Sequence, residues 1–202
     1  VPLPLGVAVD ERDLAGSAGQ LTDLHFNQLT GENHMKPYAW YDAERNFRID
    51  PQATAIMDTA VANDLRVYGH VLVWHSQNAG QTDASGDTPA NPGWFFLDDT
   101  GAPLTSSEAD QELLRERLHD HIFAIAKNLH DTYGDFGSET NPLVAWDVVN
   151  EVVADGADNP DGLRRSAWFN IIGEQFIDLA FQYADEAFNE LYAAPGSDRP
   201  VK

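Results

Sequence analysis

The sequence predicts an α/β fold in which parallel β-strands alternate with helices along the chain. Four short apolar segments, rich in β-branched or aromatic residues, each end in polar residues, as buried strands do. Helical segments lie between them, and this alternation indicates a parallel sheet with right-handed crossovers. We expect the strands at Gly6–Asp10, His25–Asn33, Val67–Ser76 and Leu143–Glu151.

Helix signals occupy the stretches between and after these strands. Asp50 is a candidate N-cap, and Pro51 suits the first helical turn, where its missing N–H would have no partner anyway. The two later segments carry apolar residues three and four positions apart, which gives each of them one apolar face. We expect the helices at Gln52–Asn63, Ser107–Thr132 and Ser166–Leu191.

Two long connections follow strands directly. Asn78–Thr105 and Ala154–Arg165 are rich in Gly, Pro and Asp and exceed the usual connection length. In a (β/α)8 barrel the active site is built from the loops that follow the strands, whereas the opposite face stays short and structural. These two segments are therefore the expected surroundings of a functional site.

The charge balance excludes two classes of partner. The chain has 33 acidic and 12 basic residues, for a net charge of −21, and only three of its basic residues are lysines. Nucleic acids and anionic membranes need clusters of Lys and Arg, and no such run occurs here. Two explanations of the acidity stay open: the solubility of a secreted enzyme, or adaptation to high salt, where cations screen the self-repulsion.

Length and residue content set further bounds. The 202 residues suit a single domain, or most of one, and the chain contains no cysteine, which excludes disulfides and thiolate metal sites. No apolar run approaches the roughly 18 residues of a membrane span. The chain opens with Val1 and not with a charged, Met-initiated signal, which we interpret as a processed or trimmed terminus. We expect a secreted, extracellular protein.

The segment Leu143–Glu151 delivers Asn150 and Glu151 at the carboxyl end of a buried strand. A carboxyl group backed by Val148, Val149 and Trp146 is expected to be partly desolvated. Desolvation raises the pKa of a carboxyl group toward the range that a general acid needs. The alternative is a structural role in which the Asn-Glu pair caps a helix that begins in the next loop.

The segment Leu29–Lys36 also ends a predicted strand with polar side chains. Glu32, Asn33, His34 and Lys36 crowd into five positions. Cations and anions this close favour each other's charged forms, so one interpretation is a buried ion-pair network. The other is a set of donors and acceptors for a polyhydroxylated ligand.

The third strand carries two histidines. His70 and His75 are five residues apart, so strand alternation predicts that they point to opposite faces and do not share a zinc ion. His70, Trp74 and Gln77 flank the strand end beside the other two motifs. The alternative for His70 is a hydrogen-bonded core residue without a catalytic role.

Oxygen-bearing residues are dense at 155–162, which reads Asp-Gly-Ala-Asp-Asn-Pro-Asp-Gly. The segment lacks the spacing of an EF-hand, which requires a Glu at position twelve. We therefore prefer a solvated acidic loop to a calcium site and expect no metal.

Three motifs together resemble glycoside hydrolase family 10, the xylanases. They are Phe26–Lys36 (FNQLTGENHMK), Gly69–Gln77 (GHVLVWHSQ) and Trp146–Glu151 (WDVVNE), in the order and approximate spacing of that family. Leu163–Trp168 (LRRSAW) is similar to the family as well, so the resemblance covers nearly the whole chain. It implies a (β/α)8 TIM barrel, of which this chain holds about the first half with roughly four strands.

The resemblance also implies an activity and a set of site residues. It implies a retaining endo-1,4-β-xylanase that needs no cofactor, with Glu151 as the acid/base and Asn150 bound to the 2-hydroxyl of the attacked sugar. The remaining matched positions imply contacts to xylan or xylo-oligosaccharides. These positions are Lys36, His70 and Trp74 next to the scissile bond, Glu32 and Asn33 at the following xylose, and Gln77 in support.

The sequence departs from the family pattern at the nucleophile. That carboxylate belongs to a later strand in a Thr-Glu-Leu-Asp-like context, and no such motif follows the last predicted helix. Glu32 matches a sugar-binding position, and a carboxylate on the second strand is expected to lie too far from Glu151 for direct attack. A full barrel needs about 250 residues.

We therefore expect a partial domain over 1–202 that is inactive by itself and lacks the carboxyl-terminal half of the barrel. Its last strand is expected to leave an unpaired apolar edge. Two other functions stay open: a carbohydrate-binding protein without catalysis, and a related β-1,4-glucanase.

Overall fold

Four parallel strands form one sheet in chain order. The computed structural model describes residues 3–42, 44–79, 93–154, 156 and 159–202. The strands are β1 (Gly6–Val9), β2 (Gln28–Gly31), β3 (Arg66–Val73) and β4 (Leu143–Val149). In register, Val7 lies opposite Leu29 and Leu29 opposite Val67. This arrangement confirms the predicted parallel sheet and corresponds to half of a (β/α)8 barrel.

Helices connect the strands. They are α1 (Gly16–His25), α2 (Pro51–Ala62), α3 (Glu108–Tyr133), α4 (Ala167–Ile172) and α5 (Phe176–Asp185), with short 3-10 helices at Glu11–Leu14, Pro37–Trp40 and Trp94–Phe96 and a π-helical segment at Glu186–Leu191. Asp50 caps α2, because its Oδ1 accepts a 2.8 Å hydrogen bond from the Gln52 backbone N–H. Ser107 and Ser166 cap α3 and α4 in the same way.

Several sequence-based boundaries were wrong. The strand predicted at His25–Asn33 spans only Gln28–Gly31, because His25 ends α1, a helix that the sequence did not predict. The helix predicted at Ser166–Leu191 breaks at Gly173, whose φ of 83° ends α4. The strands predicted to reach Ser76 and Glu151 end at Val73 and Val149, so the polar residues that follow them belong to loops.

The two faces of the sheet differ in their surroundings. Helix α2 packs on β2 and β3, and α5 packs on β4, which buries one face in an apolar core. Gly69 is required on this face, because a Cβ there would lie 2.2 Å from the ring of Trp146. The opposite face carries Tyr68, His70 and Asp147, which are only partly buried. This face corresponds to the interior of a complete barrel.

The outer edge of β4 is partly paired. The backbone N–H of Lys202 donates to the Val144 carbonyl, and the Lys202 carbonyl accepts from the Trp146 N–H, each at 3.0 Å. The alternation of these two bonds is that of parallel strands. The expectation of an unpaired edge was therefore wrong at this point, since the carboxyl-terminal residues occupy the position of a fifth strand.

The long connections are described in part. Of Asn78–Thr105, residues 80–92 lie outside the described residues, and the remainder includes an antiparallel bridge between Leu97 and Pro103. Of Ala154–Arg165, residues 155, 157 and 158 lie outside them, so the preference for a solvated loop over calcium stays a prediction. Val153 and Leu163 bridge the two ends of this loop. Within the described ranges, no helix has the length and apolar character of a membrane span.

Candidate active site

The polar residues singled out in the sequence meet at one edge of the sheet. Parallel strands end on the same side, so the residues that follow β1, β2, β3 and β4 become neighbours although they are far apart in the chain. Asp10 follows β1, the segment 32–36 follows β2, Trp74 follows β3 and Glu151 follows β4. These residues therefore lie at the same edge of the sheet, as the sequence predicts.

Glu151 is held by contacts to both its side chain and its backbone. Its Oε2 accepts a 3.0 Å hydrogen bond from the Trp74 indole Nε1, and the His75 Nδ1 lies 3.6 Å from the same oxygen. The guanidinium Nε of Arg164 donates to the Glu151 carbonyl at 2.8 Å. The φ of Glu151 is 53°, a left-handed value that is strained for a residue other than glycine and that often marks functional sites.

The expected surroundings of Glu151 were wrong in one respect. Its side chain is 50% exposed, which agrees with the partly desolvated carboxyl group that the sequence predicts. Trp146, expected to back it, instead faces the helices and packs 6.0 Å from Phe188, since strand alternation turns it away from the strand-end cleft. The helix-capping alternative also fails, because Ser166 caps the next helix.

Lys36 links the segment after β2 to Trp74. Its Nζ lies 5.2 Å from the centre of the Trp74 ring and donates a 3.0 Å hydrogen bond to Oδ1 of Asn33. Burial lowers the pKa of Lys36 from its ordinary value, while the negative charges of Glu32, Asp10 and Glu151 oppose this shift. The cluster thus combines a desolvated ammonium group, an aromatic ring and a carboxyl group within one cleft.

Both interpretations of the segment 32–36 have support. His34 lies between two carboxylates, with Nδ1 3.4 Å from Asp50 and Nε2 3.9 Å from Asp10, which resembles the ion-pair network of the first interpretation. Lys36 instead lies over the Trp74 ring and donates to Asn33, as a ligand site requires. His34 therefore fits the structural interpretation, and Lys36 with Asn33 fits the ligand site.

His70 belongs to a hydrogen-bonded triad on the interior face. Its Nδ1 lies 2.8 Å from Oδ2 of Asp147, and the Tyr68 hydroxyl donates to Oδ1 of the same carboxylate at 2.7 Å. Burial, with this hydrogen bond, raises the pKa of Tyr68 to about 12. The His70 ring lies 6.5 Å from that of Trp74. Sequence reasoning missed Tyr68 and Asp147, although alternation places Tyr68 on the same face as His70.

His75 was placed wrongly by the alternation argument. The strand ends at Val73, so the two-residue period does not extend to position 75. The His75 ring lies 5.3 Å from the Trp74 ring, and the His70 ring lies 6.5 Å from the same ring. Within the ranges that the structure describes, no three His, Asp or Glu side chains converge as metal ligands.

The remaining predicted residues are placed around this cluster. Asn150 is half-buried and its N–H donates to the Val73 carbonyl at 2.9 Å. Gln77 is buried with a φ of 50°, and its carbonyl accepts from the Tyr38 N–H at 3.0 Å. Glu32 is exposed and its N–H donates to the Val9 carbonyl at 3.0 Å. The roles given to these three residues stay predictions.

The comparison with protein families identifies the chain. Residues 2–193 match the family model described as glycosyl hydrolase family 10. The chain belongs to this family. Endo-1,4-beta-xylanase A of Thermoanaerobacterium saccharolyticum is 40% identical over 186 residues, which are 91% of this chain and 14% of that protein. Exoglucanase XynX of Acetivibrio thermocellus is 39% identical over 91% of this chain and 15% of its own length.

Solved structures of glycosyl hydrolase family 10 members share the fold. The intracellular xylanase of Thermoanaerobacterium saccharolyticum superposes with a TM-score of 0.73 and 38% identity, over 92% of this chain and 50% of that one. A mutant of it has been solved with xylotriose. Xylanase B of Clostridium stercorarium superposes with a TM-score of 0.76 and 31% identity, over 98% and 51% of the two chains. The chain thus spans about half the length of these solved relatives.

Proposed function

We propose that this chain supplies the acid/base half of a retaining endo-1,4-β-xylanase, with Glu151 as the proton donor. The observation that carries the proposal is the contact between Trp74 and Glu151, with Lys36 lying over the same indole ring. It supports a single cleft in which a sugar ring can lie beside a carboxyl group. The membership of the family and its xylanase relatives support the choice of reaction.

In the proposed reaction Glu151 moves a proton twice. As an acid it gives its proton to the glycosidic oxygen of the leaving sugar, while a second carboxylate, about 5–5.5 Å away, attacks the anomeric carbon. As a carboxylate, Glu151 then takes a proton from the water that releases the covalent intermediate. The second carboxylate would come from a later strand of the barrel.

Neighbouring groups would favour the transition state. A hydrogen bond from Asn150 to the 2-hydroxyl strengthens as positive charge develops on the ring, so it stabilises the transition state more than the bound substrate. The other proposed contacts fix the sugars on either side. They are made by Lys36, His70 and Trp74 near the scissile bond, by Glu32 and Asn33 at the next xylose, and by Gln77 in support.

The proposed partner is the carboxyl-terminal half of such a barrel. The test is to produce this chain together with strands five to eight of a family xylanase, with the contributing half alone as the control. We expect release of reducing sugar from xylan only when both halves are present. Xylan binding without any turnover in the assembled pair would instead favour the carbohydrate-binding alternative.

A β-1,4-glucan is the second candidate substrate, favoured by the similarity to Exoglucanase XynX. Glucose carries a hydroxymethyl group that xylose lacks, and this group must fit near Glu32. We expect the completed enzyme to hydrolyse xylan faster than a soluble β-1,4-glucan. A higher kcat/KM on the glucan would overturn the xylanase assignment but not the role of Glu151.

We further propose that the protein is extracellular and that its acidic surface is an adaptation to high salt. The net charge of −21 supports this, because cations screen the repulsion that opposes folding. A higher unfolding midpoint in molar KCl than in dilute buffer would agree, and an unchanged midpoint would leave solubility as the explanation.

The location is tested by measuring the protein in culture medium and in washed cells of the source.

A further inference from the structure

Asp10 lies at the start of a series of contacts that ends at Glu151. It follows β1 directly and is 9% exposed. Its Oδ2 accepts a hydrogen bond of 3.3 Å from the side-chain Nδ2 of Asn33. Its own backbone is fixed by the following turn, since its N–H donates to Oδ2 of Asp13 at 3.0 Å. None of the proposed roles in hydrolysis includes Asp10.

A carboxylate at this position selects one orientation of the Asn33 amide. A carboxylate only accepts hydrogen bonds, so it requires the NH2 end of the amide to face it. The oxygen end then faces away from Asp10 and accepts from Lys36 Nζ at 3.0 Å. With the amide reversed, the Lys36 ammonium would face another donor and would lose this partner.

Two further contacts connect the Asn33 amide and its partner Lys36 to Glu151. Lys36 Nζ lies 5.2 Å from the centre of the Trp74 ring, and the Trp74 indole donates to Glu151 Oε2. Four strand ends are joined in this way: Asp10 after β1, Asn33 after β2, Trp74 after β3 and Glu151 after β4.

We propose that Asp10 is a positioning residue that fixes the amide of Asn33 and thereby holds the Lys36 ammonium over Trp74. Only the identity of the sugar ligand rests on the proposed function. The effect of Asp10 on Lys36 rests on contacts within this chain, so it can be measured without substrate.

The charge of Asp10 gives the proposal a measurable consequence. Burial lowers the pKa of Lys36, and Asp10 is one of three carboxylates that oppose this shift, together with Glu32 and Glu151. Removing its charge while keeping its shape should therefore let Lys36 lose its proton at a lower pH. A residue that served only to pack β1 would leave the titration of Lys36 unchanged.

Other charged and titratable groups surround Asp10. Arg12 is exposed, with Nη2 4.0 Å from the carboxylate, and Asp13 lies in the same turn. His34 Nε2 lies 3.9 Å away, with Asp50 on its other side. Tyr38 also senses Asp10: its pKa is raised by burial first, and then by the charges of Asp50 and Asp10.

The test is Asp10→Asn, followed by NMR of the 202-residue chain labelled with carbon-13 lysine. Only Lys36, Lys127 and Lys202 contribute signals, so Lys36 can be assigned with one Lys36→Met sample. We expect the Lys36 titration to move to lower pH in the variant. The matched control is Asp23→Asn on exposed α1, which removes the same charge and should leave the Lys36 titration unchanged.

A second variant covers the case in which Asp10→Asn does not fold. Asp10→Asn combined with Asn33→Asp exchanges the amide and the carboxylate, which keeps both hydrogen bonds and the net charge. It brings the carboxylate next to Lys36, so Lys36 should titrate at or above the wild-type pH. The same Lys36 titration in all folded variants would overturn the proposal.

Binding of xylotriose tests the proposed sugar site independently of the role of Asp10. If the chain binds xylotriose, Asp10→Asn should weaken the affinity about tenfold, as expected when one charge-assisted hydrogen bond becomes a neutral one. If neither the wild type nor any variant binds xylotriose, the sugar-binding proposal for this chain fails. The Lys36 titration decides the role of Asp10 in either case.

Discussion

The indole nitrogen of Trp74 donates a 3.0 Å hydrogen bond to Oε2 of Glu151, and this contact joins the ends of β3 and β4. The two residues are 77 positions apart in the chain. The bond orients one carboxyl oxygen, and the backbone of Glu151 has a left-handed φ of 53°. Positioning by a rigid aromatic residue is what an acid/base group needs when it must protonate one particular oxygen.

Trp74→Phe tests this contact. Phenylalanine retains an aromatic ring beneath Lys36 but cannot donate to Glu151, so the completed barrel should lose about tenfold in kcat/KM on xylan, or about 1.4 kcal/mol. The matched control is Trp94→Phe, since the Trp94 indole nitrogen has no hydrogen-bond partner within the described part of the chain. Equal activity of Trp74→Phe and the wild type would show that the bond does not assist the reaction.

Asp147→Asn tests the triad on the interior face. The Asp147 carboxylate accepts from Tyr68, and burial together with this bond raises the pKa of Tyr68 from 10.0 to about 12. Loss of the negative charge should let Tyr68 ionise at a lower pH. Tyrosinate absorbance should therefore show one more tyrosine ionising between pH 10.0 and about pH 12 in Asp147→Asn than in the wild type. Tyr68→Phe combined with Asp147→Asn should abolish this additional absorbance. Identical titrations of the variant and the wild type would exclude the coupling.

The buried His121 should make the folded chain less stable in acid. It is fully buried, 3.0 Å from the Tyr41 hydroxyl and 3.1 Å from the Leu72 carbonyl, and burial lowers its pKa from 6.5 to about 4. Between these values the unfolded chain binds more protons than the folded chain, so acidification through this range favours unfolding. The stability that neutral His121 contributes is present above pH 6.5 and is lost toward pH 4.

His121→Gln isolates this contribution, because glutamine can still donate to Leu72 but does not titrate. Between pH 7 and pH 4.5, urea unfolding should show the wild type losing roughly 2–3 kcal/mol more than the variant. Parallel losses in the two chains would mean that other groups govern the acid sensitivity.

Gly69→Ala tests the packing behind the site. The added Cβ would lie 2.2 Å from the Trp146 ring, so the ring or the strand must move, at an expected loss of about 3 kcal/mol in the free energy of unfolding. Gly6→Ala is the matched strand variant, because its Cβ would meet the flexible end of Gln28 at 3.2 Å. Urea unfolding should leave Gly6→Ala within about 1 kcal/mol of the wild type. Comparable losses in both variants would contradict the packing account.

The grouping of the candidate residues could be predicted from the sequence because active sites in parallel sheets lie at the carboxyl ends of the strands. The apolar runs before Asn33, Trp74 and Asn150 indicated strands, and parallel strands bring their ends together whatever the separation in the chain. The nearness of Lys36, His70 and Trp74 to Glu151 could therefore be predicted without coordinates. The exposure of Glu151 could not, because it depends on what covers the open side of the cleft.

The features that were missed depend on local backbone or on distant contacts. Helix α1 contains Gly16 and Gly19 and lacks a regular apolar stripe, so its helical pattern is weak. Gly19 is needed there because a Cβ would lie 2.6 Å from the Leu14 carbonyl oxygen. The pairing of Lys202 with β4 leaves no pattern in the sequence, since a single paired residue cannot show alternation.

Glu151 is the proton donor of the proposed reaction, and Glu151→Gln in the completed barrel tests this role directly. Glutamine cannot protonate a leaving oxygen, so hydrolysis of xylan, whose sugar leaving group needs a proton, should fall by at least about a hundredfold. Cleavage of an aryl xylobioside with an activated phenol should fall far less in its first step, since that leaving group departs without a proton. We predict a large difference between the two losses under single-turnover conditions; equal losses on both substrates would contradict the assignment of Glu151.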